Sequence, residues 1–196
     1  MSFPEAWQET AMIAVSLKGG SEIQFAAITE TIDISEGEYP GESMKNLAGG
    51  RIWKQSSKED GEITLEMYPV ELDTTSGVGL FQQWIGGTQD TSEPLGTDLT
   101  EVAGVQRIRS SYRVAILWTN DTAAATAAGA TAATTDALRF YATDCRITSH
   151  KAAYTDGILK VTVTFKFPAL NKAGTTNIGA WESGDQTALV TLGAYS

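Results

Sequence analysis

One histidine and one cysteine bound the side-chain chemistry of this chain. A Ser-His-Asp triad or a Cys-His pair would have to be built on His150. The single thiol, Cys145, lies five residues before it. On an extended strand an odd separation puts two side chains on opposite faces. The pair therefore reads as a strand histidine and a small, apolar-like cysteine. One His and one Cys do not build a four-ligand zinc site. Carboxylates are plentiful: Glu36, Glu38 and Glu42 in one segment, Glu59, Asp60 and Glu62 in another. A glycosidase needs two of them across a cleft, but acidic clusters in loops read as solvated faces. "LAGG" and "IGG" lack the strand-loop-helix setting and the Lys-Ser/Thr of a phosphate loop. No EF-hand spacing is present. The sequence assigns no catalytic residue, no metal ligand and no cofactor, so the chain reads as a non-enzyme.

Composition sets the class. A chain of 196 residues favours one domain, 1–196, able to bury a sizeable core. The hydrophobic share is 42%, with five Trp, six Tyr and six Phe, which is globular and not disordered. The net charge is -10. An acidic protein repels polyphosphates, which argues against a sequence-reading nucleic-acid binder but not against a protein that lets DNA pass ungripped. A single cysteine excludes an intramolecular disulfide. "MSFPEAWQET" has neither the basic nor the apolar region of a secretory signal, and no apolar run reaches the length of a membrane span.

The elements that would carry any site are mostly strands. "AMIAVSLK", "GG" and "SEIQFAAITETIDI" predict a hairpin with a Gly-Gly turn. Arg51 to Ser56 and Glu62 to Tyr68 predict a second, turning at Asp60-Gly61. In its second strand Ile63, Leu65 and Met67 face one way, and Glu62, Thr64 and Glu66 the other. A third hairpin is predicted at Asp156-Gly157. It leads into Leu159, Val161, Val163, Phe165 and Phe167 on one face, with Lys160 and Lys166 on the opposite, polar face. "YRVAILWT", Tyr112 to Thr119, is apolar on both faces and reads as a central strand. Val78, Phe81 and Ile85 fall at helical spacing between a Thr75 or Ser76 cap and Gly86, which predicts one short helix that must dock on a sheet. The Ala/Thr-rich segment 120–137 reads as a loop insertion between strands. The expected fold is mainly β: an antiparallel β-sandwich or barrel of about eight strands with one docked α-helix.

The order of these segments carries a resemblance. "AAITETIDISEGE" leads to a loop ending "NLAGGRIWK". A hairpin, "SSKEDGEITLEMYPVEL", and a short helix, "GLFQQWIGG", follow. Together with "ALRFYATDCRITSHKAAYTDGILKVTVTFKFPAL" and "NIGAWESGD", this order resembles the major tail tube proteins of long-tailed phages and archaeal tailed viruses, over about Ile28 to Asp185. The match is one of order and texture, and segment 120–137 departs from the family's compact core.

The resemblance implies a structural virion protein of the tail, assembled in the host cytoplasm. Six copies would form a ring, and stacked rings a tube that conducts DNA. The implied partners are further copies of the chain, the tail terminator, tape measure and baseplate proteins, and passing DNA without specific binding; no membrane is implied. Ser35 to Gly50 becomes an inter-subunit loop. Glu36, Glu38, Glu42, Lys45 and Arg51 are its charged contacts, and Tyr39, Met44 and Leu47 its apolar anchors. The face of Glu62, Thr64 and Glu66 is a candidate lining of the bore, with the Lys160 and Lys166 face as its competitor. A carbohydrate- or surface-binding β-sandwich module, or a virion decoration protein, is the alternative in a different class.

Overall fold

The computed structural model describes residues 10–18, 22–26, 29–67, 111–119 and 137–184, with Leu189, Leu192, Gly193 and Tyr195. Ten strands lie within these residues. They are β1 (Thr10–Leu17), β2 (Glu22–Ala26), β3 (Thr29–Ser35), β4 (Gly41–Lys45), β5 (Arg51–Gln55), β6 (Gly61–Met67), β7 (Tyr112–Thr119), β8 (Ala137–Thr155), β9 (Ile158–Phe167) and β10 (Gly179–Gly184). The fold is mainly antiparallel β, as its alternating patterns predicted, and the described residues include no helix. The expected helix at 75–86 and the body of the 120–137 segment lie outside the described residues; Ala137 itself opens β8.

Eight strands form one curled sheet in the order β2-β1-β7-β8-β9-β6-β3, with β10 also on β8. β2 and β3 stand at opposite ends of that order, yet only three peptide links separate Ala26 from Thr29. Three links span at most about 11 Å. The two ends must therefore approach each other, and the sheet must curl towards a barrel. The long strand β8 turns the corner. Its first part pairs with β7 and β10, and Arg146 to Thr155 pairs with β9. Register shifts lie near Asp144 and between Ile147 and Ser149. Asp144 takes a left-handed φ of 55°, the mark of an extra residue that bends a strand. Its carboxylate accepts from the Ser111 and Tyr195 hydroxyls at 3.1 and 2.9 Å, and its N–H donates to the Tyr195 oxygen at 3.1 Å. These bonds hold the bend.

The core sits between the two halves of the curl. Ile13, Val15, Tyr112, Val114, Ile116 and Phe140 meet Ile63, Leu65, Val161, Val163, Phe165 and Phe167. Tyr112 and Phe165 pack edge to face at 6.3 Å. β7 is buried on both faces, as predicted for a central strand. Its second face is covered near the C-terminus, where Leu189 packs on Ala14, Ala115 and Leu117. Arg139 is fully buried in this region, and its Nε donates to Glu182 at 3.0 Å across the β8–β10 pair. The Asp156-Gly157 turn is as predicted. Both residues have positive φ, 54° and 80°, and Thr155 pairs with Ile158, the two-residue turn that matches strand twist.

Two expectations are corrected. β5 does not pair with β6 around Asp60-Gly61; β6 pairs with β3 and β9, and β5 pairs with β4. Neither Asp60 nor Gly61 has positive φ. The real turn is Asn46–Gly50, where Gly49 takes φ 82° and the Asn46 carboxamide oxygen accepts from the Gly50 N–H at 2.7 Å. The stretch read as the Ser35 to Gly50 loop therefore contains a strand, β4. Gly61 is needed for a different reason: a Cβ there would collide with the Phe167 ring.

Candidate functional site

Among the described residues no group of three His, Cys, Asp or Glu side chains is placed to hold a metal. Cys145 is fully buried, and burial raises its pKa far above the ordinary thiol range, with the Asp144 charge adding to the effect. A thiol held protonated is a poor nucleophile. No helix is long and apolar enough to cross a membrane, among the residues described.

What stands out is an arm. Ser35 pairs with Glu62 at the end of the β3–β6 pair, and the two chains then run on together to the β4–β5 hairpin. The link is built and not loose. The Glu59 N–H donates to the Glu38 carbonyl at 2.8 Å, and the Ser56 N–H to the Pro40 carbonyl at 2.7 Å. Gly37 has φ 79°, and a Cβ there would strike the Glu59 backbone, so only glycine fits. The Lys58 ammonium lies 5.8 Å from the Tyr39 ring centre. The Trp181 Nε1–H donates to Glu36, which ties the arm's root to β10. Trp181 in turn stacks on Trp118 at 5.8 Å and leans on Phe140 at 4.9 Å.

Beyond the root the arm has no core of its own. Every residue of β5 is exposed, and so are four of the five in β4. One face of the hairpin carries Met44 opposite Ile52 and Glu42 opposite Lys54. The other carries Trp53 opposite Ser43 and Arg51 opposite Lys45. The Trp53 indole lies over Gly41, where a Cβ would collide with it. Trp53 is nonetheless 65% exposed, Ile52 54% and Met44 49%. Leu47, at the tip, is fully exposed, and Tyr39 is half exposed. Glu38, Tyr39, Glu42, Met44, Lys45, Leu47 and Arg51 are thus all on this one arm. Ile52, Trp53 and Lys54 belong with them; a hairpin of Arg51 to Ser56 with Glu62 to Tyr68 would instead place them beside β6. The signal for the correct pairing was the "NLAGG" turn itself.

The Glu62, Thr64 and Glu66 side chains share the outer, partly exposed face of β6. Glu62 pairs with Lys166 at 3.3 Å, Glu66 with Lys160 at 3.4 Å, and the Thr64 and Thr164 hydroxyls approach to 3.3 Å. The acidic face and its lysine competitor are therefore one face, compensated strand to strand. Treating β6 and β9 separately hid this, because a sequence does not state register.

No family model matches the sequence, and no curated protein matches it. Among solved structures, a chain in the cryo-EM structure of the anti-feeding prophage baseplate, six-fold symmetrised, superposes with a TM-score of 0.52. The two are 9% identical, over 95% of this chain and 99% of that one. The chain shares its fold with a component of the anti-feeding prophage. A chain of the sheath/tube terminator of an extracellular contractile injection system, in the extended state, gives 0.49 at 12% identity over 93% and 99%. Hcp1 from Flavobacterium johnsoniae gives 0.31 at 10% identity over 80% and 98%.

Proposed function

We propose that this chain is a structural, non-enzymatic subunit of a tail tube. Six copies form a ring, the rings stack, and the tube conducts DNA in a virion tail assembled in the host cytoplasm. Its partners are its own copies along the tube, with terminator, tape measure and baseplate proteins at the ends and inside. The observation that carries this reading is the arm. A paired, preorganised hairpin that leaves Met44, Ile52, Trp53 and Leu47 in water is a surface built to be covered. The fold shared with a six-fold symmetrised baseplate chain supports the ring arrangement.

Sheet edges supply the second contact. Among the described residues, β3 pairs only with β6, and Arg146 to Thr155 of β8 pairs only with β9. Two such edges on one four-stranded half-sheet suit head-to-tail pairing, which closes a ring when the rotation closes. The bore lining is assigned to the face of Glu62, Thr64 and Glu66. Its cross-strand ion pairs leave few free cations for phosphates, and a chain of net charge -10 lets a polyanion slide. Negative-stain microscopy and light scattering of the purified protein at high concentration test the reading. Rings or tubes are expected; a chain that stays strictly monomeric sinks it.

A further inference from the structure

The arm is electrically polar along its length. Residues 41–55 hold three cations, Lys45, Arg51 and Lys54, against one acid, Glu42, a net charge of +2 in a chain of net -10. The root, residues 36–40 and 56–60, holds Glu36, Glu38, Glu59 and Asp60 against Lys58, a net charge of -3. Glu42 sits opposite Lys54, so that pair is balanced. Lys45 sits directly opposite Arg51. Like charges facing each other across an antiparallel pair destabilise it, and among the described residues neither has an ion-pair partner.

The root of the same arm does not relieve this. Lys45 is seven residues beyond Glu38 in an extended arm, about 23 Å at ~3.3 Å per residue. That is more than twice the Debye length of about 10 Å at 0.1 M salt. The acids at the root, Glu38, Glu59 and Asp60, are exposed and equally without ion-pair partners. Each arm therefore carries two unmatched charge clusters of opposite sign, too far apart to meet within one molecule.

Resting on the reading of the arm as an inter-subunit element, we propose that the tip of one arm docks on the arm root of the next copy. Lys45 and Arg51 meet Glu38, Glu59 and Asp60 of the neighbour, and Trp53, on the same face as Lys45 and Arg51, closes over the contact. The contact is heterologous: tip and root are different patches, so every copy gives one and receives one, and the series runs on from subunit to subunit. Charge supplies direction and encounter rate, and the indole supplies the buried area.

Charge exchange between subunits tests this. Lys45→Glu/Arg51→Glu reverses the tip, and Glu38→Lys/Glu59→Lys reverses the root. All four positions are exposed, so circular dichroism should match wild type. Each variant alone should raise the critical concentration for assembly at least about tenfold, since like-charge juxtaposition repels. An equimolar mixture of the two should recover much of the loss, because each then offers a complement the other lacks. Wild-type assembly should also weaken from 50 to 500 mM NaCl, as screening shortens the reach of the charges. If wild-type tubes form and either reversal leaves the critical concentration unchanged, or the mixture shows no recovery, the tip-to-root contact is refuted while the tube reading stands. If wild type never assembles, both fall. Should a reversed variant misfold, Lys45→Gln/Arg51→Gln replaces it, and an unchanged critical concentration in that variant is refuting.

Discussion

Trp53→Ala separates an arm that binds a neighbour from an arm that packs on its own subunit. A tryptophan buries about 150–250 Å² when fully covered. Trp53 is 65% exposed, so about 100–160 Å² is left to be covered by something else. At ~25 cal/mol/Å² that area is worth about 2.5–4 kcal/mol. The entropy of docking a subunit is common to wild type and variant, so it cancels in the difference. If a neighbour covers the ring completely, the critical concentration should rise about a hundred- to a thousandfold, at about 1.4 kcal/mol per tenfold. Within the subunit the ring contacts Gly41 on the arm and lies outside the core cluster, so its loss loosens the arm and spares global unfolding. Light scattering against concentration gives the first quantity, and thermal unfolding of the unassembled chain gives the second. An unchanged critical concentration refutes the reasoning. So does a melting temperature that falls in step with assembly, since Trp53 would then be part of its own subunit's fold.

Three further outcomes are expected. Glu36→Ala should free the arm root from Trp181 and speed tryptic cleavage at Lys45, Arg51 and Lys54 several-fold, while Glu36→Gln, which keeps an acceptor, should stay near wild type; equal rates in all three chains count against the tether. Glu62→Lys/Glu66→Lys places like charges opposite Lys166 and Lys160 and should lower stability by about 1 kcal/mol for these half-exposed pairs, with Lys160→Glu/Lys166→Glu restoring most of it; urea unfolding that shows no recovery in the quadruple variant rejects the pairing. Burial raises the pKa of Cys145 above its ordinary 9.0 and that of Tyr195 above 10.0, so the unfolded chain releases these protons first and their stability, intact below pH 9, is lost as pH rises. Cys145→Ala should flatten the decline that begins near pH 9 and Tyr195→Phe the part that begins near pH 10, measured by urea unfolding across pH; slopes unchanged from wild type contradict this.

Period-two patterning determined which side chains face the core, because alternation is a local property of an extended chain. Ile63, Leu65, Val161, Val163, Phe165 and Phe167 were legible this way, as was the doubly buried β7. Asp156-Gly157 was legible because positive φ at two adjacent positions selects few residues. The absence of a Cys-His or metal-site pattern was read from composition. Pairing was a different matter. "RIWKQ" satisfies the strand pattern equally well beside "GEITLEM" and beside "GESMK", and local preference does not choose between them. Only the tertiary structure decided, by giving both sides of β6 to β3 and β9 and leaving β5 to close on β4. That choice turns a polar loop into an arm with Trp53 and Ile52 on it. Register decided the rest: Glu62 and Glu66 face Lys166 and Lys160 because β6 and β9 align as they do, a fact that depends on contacts about a hundred residues apart in the chain. The bends at Asp144 and after Ile147 likewise come from closing the sheet, which no short window of sequence contains.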